Sequence, residues 1–355
     1  MTPPGPISGA RERDEARFTA DRITELALRP VRGNFDVAHL REINRRIFQD
    51  LPGAGYADVT PGQYRHTINT GDWMKTRAFE TKGVEGVVAY SRMDAVAQTK
   101  LAEILTRAEP QRLAALDTKQ FTSVLADIYA NLDYIHPFPD GNSRTLRVFT
   151  RQLAGEAGFD LTWKRFAASA AGREALYIAR DKSVNEIALP QMYSESAMRR
   201  VIASLSDFRD DPHLPQLLES AIRPPRAIAF EQLPEAEALA KHPELKGAYD
   251  GTRKMRVTVA ENFPNNARAQ QQLFLRAKSE IVRTLDTGKV LPSPDLARAR
   301  TPRAQQPTAT VTCFTANAEY SCMGAMLRAS WMLESRASSR NVILWSSPPI
   351  ECAWR

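Results

Sequence analysis

DTKQFTSVLADIYANLDYIHPFPDGNSRTLRVFTRQLAGEAG, residues 117–158, decides the fold. Phe121, Val124, Leu125, Ile128, Leu132 and Ile135 recur at the i, i+3, i+4, i+7 spacing that lines one face of a helix. His136-Pro137 predicts the end of that helix, because a residue before proline is driven out of the helical region. A Gly141-Asn142 turn follows. The chain then resumes a helix, with Leu146, Phe149 and Leu153 on its apolar face and Gly158 suited to its C-terminal end.

The neighbouring segments read the same way. FDVAHLREINRRIFQDL (35–51) has Phe35, Leu40, Ile43, Ile47, Phe48 and Leu51 on one face and Asp36 as its N-cap. PGAGYADVTPGQYR (52–65) is rich in turn formers and reads as a loop. Residues 66–90 carry β-branched residues and glycines around a polar centre, which predicts a short hairpin or flap. SRMDAVAQTKLAEILTRA (91–108) is helical, capped at or near Ser91, and further helices run to about residue 207.

The expected fold is therefore all-α: a helical core with a short β-hairpin, a smaller helical region, then a flexible tail. Residues 1–20 read as flexible and 21–210 as the main domain. Prolines 212, 215, 224 and 225 mark a break before a helical accessory region, 211–290. Residues 291–355 have the Pro, Ala, Arg and Gln bias of a linker followed by a tail.

Composition narrows the function classes. The net charge of +7 favours acidic partners, though basic tails are usually just solvated, and no nucleic-acid partner is expected. All three cysteines (313, 322, 352) lie in the last stretch, which argues against a disulfide scaffold and a cysteine-paired zinc site. The N-terminal stretch has no apolar signal region, and no apolar run approaches the roughly 20 residues of a membrane span. A cytoplasmic protein is expected, with translocation to another cell left open by the Arg-rich linker.

The turn concentrates residues that suit phosphate chemistry. Gly141 and Asn142 precede a helix whose first N–H groups lack partners and attract anions. Ser143 completes that turn. Arg144 can fork two phosphate oxygens, and Arg147 and Arg151 share its helix face, where a solvated stripe is the plainer reading. Asp140 offers an oxygen to Mg²⁺, or is simply a turn aspartate. His136 is the nearby side chain able to take a proton at neutral pH, although a histidine before proline is often structural.

HPFPDGNSR (136–144) resembles the Fic family signature H-P-F-x-(D/E)-G-N-(G/K)-R at eight of nine positions. FDVAHLREINRRIFQDL and GQYR resemble the family's first helix and its exit. The resemblance covers roughly residues 30–200 and implies transfer of AMP from ATP to a Ser, Thr or Tyr hydroxyl of a target protein. It implies His136 as general base, Phe138 as the anchor of the loop, and Asp140 as the holder of Mg²⁺. It also implies a catalytic anion hole of Gly141, Asn142 and Ser143, Arg144 on the distal phosphates, and a target clamped on flap 70–90 by strand-like pairing. Ser143 departs from the pattern. A lysine there goes with phosphate transfer, whereas a small, uncharged serine should behave as glycine does. A Fic-type phosphotransferase, or a nucleotide-binding secretion or conjugation module without turnover, are the alternatives.

Some members carry an inhibitory helix, (S/T)-x-x-x-E-(G/N). Thr81-Lys-Gly-Val-Glu85-Gly86 matches formally, but its interior makes a poor helix and it falls where the flap belongs. With Glu85 set aside, regulation would come from a separate antitoxin-like protein, or there is none.

Overall fold

The computed structural model describes residues 9–69 and 71–293. It begins with α1 (Gly9–Leu28), α2 (Val37–Phe48) and a hairpin of β1 (Trp73–Phe79) and β2 (Val84–Tyr90). Then come α3 (Ala95–Leu105), α4 (Pro110–Ala114), α5 (Thr118–Ile135), α6 (Asn142–Glu156), β3 (Asp160–Leu161), α7 (Lys164–Ala167), α8 (Ala170–Ala188) and α9 (Glu195–Asp207). The chain continues through α10 (Leu214–Glu219), β4 (Ile222–Arg223), α11 (Pro225–Gln232), α12 (Glu235–Lys241), α13 (Lys246–Asn262) and α14 (Ala267–Asp286). The architecture is all-α with two small antiparallel strand pairs.

Helix α5 is the axis of the core. Asp117 and Gln120 form a capping box at its start, satisfying two backbone donors that the first turn leaves free. Phe121, Leu125, Ile128, Leu132 and Ile135 are fully buried, while Val124 is half-buried. Each such side chain contributes about 1.5–3 kcal/mol when removed from water. Helices α3, α6, α8 and α10 pack around α5. Phe121 stacks on Phe159 at 3.8 Å between ring centroids. Asp36 caps α2 as expected, accepting from the His39 N–H at 2.9 Å, and the six apolar residues assigned to this segment's face are buried. Asp94, rather than Ser91, caps α3. The Ser91 hydroxyl instead donates to the Ile135 carbonyl.

The hairpin spans the flap region. Trp73 lies opposite Tyr90, Lys75 opposite Val88, and Arg77 opposite Gly86. Period-two alternation puts Trp73, Lys75 and Arg77 on one face. The free edge of β2 is sealed by side chains from the helices behind it. The Val87 N–H donates to Ser204 of α9, the Ala89 N–H donates to Asn185 of α8, and the Asn185 amide donates back to the Val87 carbonyl.

Two expectations need correction. Residues 9–20 are not a loose leader but the first half of α1. Its apolar face is thin, so the pattern is weak in sequence, and polar contacts secure it: Arg11 to Asp58, Tyr56 to Asp14, and Arg22 to Asp50. The break at 210/211 is not a boundary between compact units. β4 pairs with β3, and Leu214, Leu218, Ala221 and Ile222 join the main core, so the first unit runs through Lys246 and takes in 282–291 again. Thr81–Gly86 forms the hairpin tip and the start of β2 rather than a helix, and Glu85 is exposed there, opposite Ala78. The second unit includes 247–281, where Arg256 lies over the Phe274 ring at 4.6 Å. The expected tail from residue 294 and the stretch 1–8 lie outside the described residues. No helix among the described residues is long and apolar enough to cross a membrane.

Candidate active site

His136 is the C-cap of α5 and leaves the helix in the left-handed region, at φ 48° and ψ 59°. A non-glycine residue there costs on the order of 1–3 kcal/mol, and such outliers cluster at working sites. The surroundings hold it in place. The Arg65 side chain donates to the carbonyls of His136 (2.7 Å), Ile135 (3.2 Å) and Ser91 (2.7 Å), while its guanidinium lies 4.0 Å from the Trp73 ring centroid. Burial lowers Arg65 to about 10. The His136 ring packs on Tyr90 at 4.0 Å and on Trp73 at 5.3 Å.

Burial is also the main reason that His136 titrates low, at about 4. Asp133 pulls the other way, and the positive charges of Lys75 and Arg65 add to the lowering. The ring is therefore neutral at physiological pH, the form able to accept a proton. Lys75 of β1 brings its ammonium to 3.3 Å from Nε2. Although the residue as a whole is exposed, desolvation of the ammonium lowers its pKa, opposed by the charge of Asp140.

The loop after His136 closes on itself. Phe138 is fully buried near Tyr64. Its N–H donates to the Asn142 side-chain oxygen at 3.0 Å, and the Asn142 amide donates back to its carbonyl at 2.7 Å. The Asn142 side chain is thus committed to shaping the turn, and what it presents to a ligand is its backbone N–H. Gly141 is the N-cap of α6 at φ 70°, without a side-chain cap. The opening N–H groups of α6 are left to bind an anion. A side chain at 141 has no room, since an added Cβ would lie 1.9 Å from Phe48 Cζ.

Asp140 is exposed, and its carboxylate has no direct hydrogen-bond partner among the described residues. Desolvation raises its pKa first and the negative charge of Glu15 second, against Lys75, Arg11 and Arg144. A hard cation would relieve that crowding of negative charge, so the donor chemistry fits Mg²⁺.

Arg144 does not stand free. Its guanidinium pairs with Glu15 of α1, donates to the Thr19 hydroxyl at 3.1 Å and sits over Phe48. Arg147 donates to the Ser143 carbonyl at 3.2 Å, and Arg151 is exposed. The Ser143 hydroxyl accepts from Arg180 of α8 at 3.2 Å. Arg180 in turn pairs with Asp133 at 2.7 and 3.1 Å.

The structure thus places His136, Asp140, Gly141, Asn142, Ser143 and Arg144 around one turn, and leaves Glu85 on the exposed hairpin. Sequence reading missed Glu15, Arg65, Lys75, Asp133 and Arg180. Their signal was faint: only Asp133, three residues before His136 on a helix, is at a spacing that predicts contact.

Residues 34–154 match the family model described as Fic/DOC family. The protein adenylyltransferase VbhT of Bartonella schoenbuchensis is 30% identical over 156 residues, 43% of this chain and 28% of that protein. The probable protein adenylyltransferase Fic of Escherichia coli is 28% identical over 148 residues, 41% of this chain and 62% of that protein. The chain thus spans less than two thirds of the length of either relative. Among solved structures, the N-terminal Fic domain of a Bartonella quintana cell filamentation protein with bound ADP is 20% identical. It covers 62% of this chain and 89% of that one at a TM-score of 0.38.

Proposed function

We propose, from the match of residues 34–154 to the Fic/DOC family model and from the geometry of the turn, that this chain transfers AMP from ATP to a hydroxyl side chain of a target protein. The observation that carries this reading is the pairing of a neutral, buried His136 with an uncapped helix start five to six residues later. One group accepts a proton, and the other receives the negative charge that builds on phosphate oxygens.

On this reading His136 Nε2 takes the proton of the target hydroxyl. The hydroxyl oxygen forms a bond to the α-phosphorus, and the bond from that phosphorus to the oxygen bridging it to the β-phosphate breaks. Pyrophosphate leaves with the electron pair. The N–H groups at 142–144 hold phosphate oxygens in line, and Arg144, released from Glu15, grips the distal phosphates. Asp140 would hold Mg²⁺, which when bound offsets phosphate charge. The target lies along flap 70–90, and Lys75 must yield its place at Nε2 to the incoming hydroxyl. Most of the acceleration comes from positioning and charge, with one proton transfer.

The test is paired labelling. The purified chain is incubated with Mg²⁺, a cell lysate and ATP labelled on the α- or the γ-phosphate. Label from the α-phosphate alone, lost in His136→Ala while ATP binding persists, is the expected result. Label from the γ-phosphate alone would overturn it in favour of phosphate transfer, and label from neither would leave nucleotide binding without turnover.

A further inference from the structure

A buried charged layer lies under the turn, and the mechanism above does not use it. Asp133 is fully buried, Arg180 is 2% exposed and His136 is 7% exposed. Two carboxylate–guanidinium contacts, at 2.7 and 3.1 Å, both fall on Asp133 Oδ2. Oδ1 is left without a hydrogen bond, and so is Nδ1 of His136. These two orphan atoms face each other at 3.7 Å. Buried polar atoms are rarely left unpaired, and a gap of this size closes with a small ring movement, as contacts in unliganded active sites often do.

The opposite edge of the ring reports which nitrogen carries the proton. An ammonium has donors and no acceptor, so Lys75 at 3.3 Å from Nε2 donates to a lone pair there. A neutral imidazole with its lone pair on Nε2 carries its hydrogen on Nδ1, the atom facing Asp133. Arg180 keeps the carboxylate ionised: burial alone would raise Asp133, but the guanidinium, with help from His136, holds it at about 2. The same guanidinium donates to the Ser143 hydroxyl.

We propose that Asp133, clamped by Arg180, is the positioning residue of the site. It holds His136 with its proton on Nδ1 and its Nε2 lone pair aimed at the incoming hydroxyl. The Arg180–Ser143 bond couples that ring to the phosphate-facing turn. The inference rests on the reading of His136 as general base, and it deepens it. One buried pair sets both the tautomer of the base and the seat of the anion hole.

The experiment reads the tautomer directly. The full chain is labelled with ¹⁵N-histidine and the His136 ring signals are assigned by their loss in His136→Gln. The wild-type ring is expected to be protonated on Nδ1. In Asp133→Asn, Arg180 claims the amide oxygen and the amide NH₂ faces Nδ1. The ring is then driven to carry its proton on Nε2, displacing the Lys75 ammonium, and Nε2 can no longer act as a base. AMP transfer is expected to fall at least about 100-fold, the low end of what a general base contributes, with ATP affinity within about twofold of wild type.

Because Asp133→Asn leaves the buried Arg180 charge without its carboxylate, the double variant Asp133→Asn/Arg180→Gln supplies a neutral pair as a folding control. It is expected to fold and remain slow. A wild-type ring protonated on Nε2, an unchanged tautomer in Asp133→Asn, or recovery of the rate in the double variant would each overturn the proposal. The ring signals need no turnover. A chain that transfers no AMP yet shows the Nδ1 tautomer would sink the functional reading and leave only the tautomer set by Asp133 standing.

Discussion

Gly141→Ala tests whether the turn has the shape on which the site depends. Two costs follow from the structure. At φ 70° a side chain enters the left-handed region, which costs an L-residue roughly 1–2 kcal/mol. The new Cβ would also lie 1.9 Å from Cζ and 2.2 Å from Cε2 of Phe48, whose ring is buried in the core. Overpacking of that kind costs about 1–3 kcal/mol. The sum, about 2–5 kcal/mol, is a large part of an ordinary domain stability of roughly 5–15 kcal/mol. Urea unfolding followed by circular dichroism measures it. Repeating the substitution in a Phe48→Leu background separates the two terms: the steric part should shrink by about 1–3 kcal/mol and the conformational part should stay. A loss under about 1 kcal/mol would mean that the turn does not hold this geometry. An equal loss in both backgrounds would mean that Phe48 is not the obstacle.

Lowering the pH from about 6.5 to 4 should destabilise the fold by up to roughly 3 kcal/mol. The unfolded His136 binds a proton over that range, whereas the native one, held at about 4 chiefly by burial, does not. The difference between wild type and His136→Gln in thermal denaturation isolates this slope, and a flat difference would refute it. Glu15→Gln should free Arg144 and tighten ATP binding about two- to fivefold, the worth of an ion pair of about 0.5–1 kcal/mol. Titration calorimetry with a non-hydrolysable analogue would show it, and unchanged or weaker binding would count against Arg144 as a phosphate ligand. Asp140→Asn should leave unfolding within about 0.5 kcal/mol of wild type, as expected for an exposed side chain. It should raise the Mg²⁺ concentration needed for half-maximal transfer several-fold, and an unchanged Mg²⁺ requirement would rule out Asp140 as the ligand.

The helices around the site were legible because their apolar periodicity is strong and local. Phe121 through Ile135 and Leu146 through Leu153 declare a buried face without reference to the rest of the chain. The turn was legible because Gly141 permits a left-handed backbone and Pro137 restricts its neighbours at fixed positions. The charged layer was not. Asp133 and Arg180 are 47 residues apart, and Glu15 and Arg144 are 129 apart, so no sequence periodicity links them. The first half of helix α1 was missed for a related reason: polar bonds to Tyr56 and Asp58 replace the apolar stripe a sequence reading looks for. The break placed at 210 went wrong because prolines punctuate the chain locally, whereas Leu214 and Leu218 return to a core built far upstream. His136 left its helix where proline required, yet in the left-handed region rather than an extended one, a choice made by Arg65 and its three carbonyl bonds.

Sheet edges normally invite further strands, and a solitary hairpin offers two. Here Asn185 and Ser204 occupy the hydrogen-bonding groups of β2 at Val87 and Ala89. Among the described residues, the edge left for an extended chain is therefore that of β1, which would limit occupancy to one guest at a time. Lys75, Thr76 and Arg77 on that strand discourage self-association of hairpins. The ribbon can be extended by a visitor, but with its far side sealed it cannot seed a growing stack.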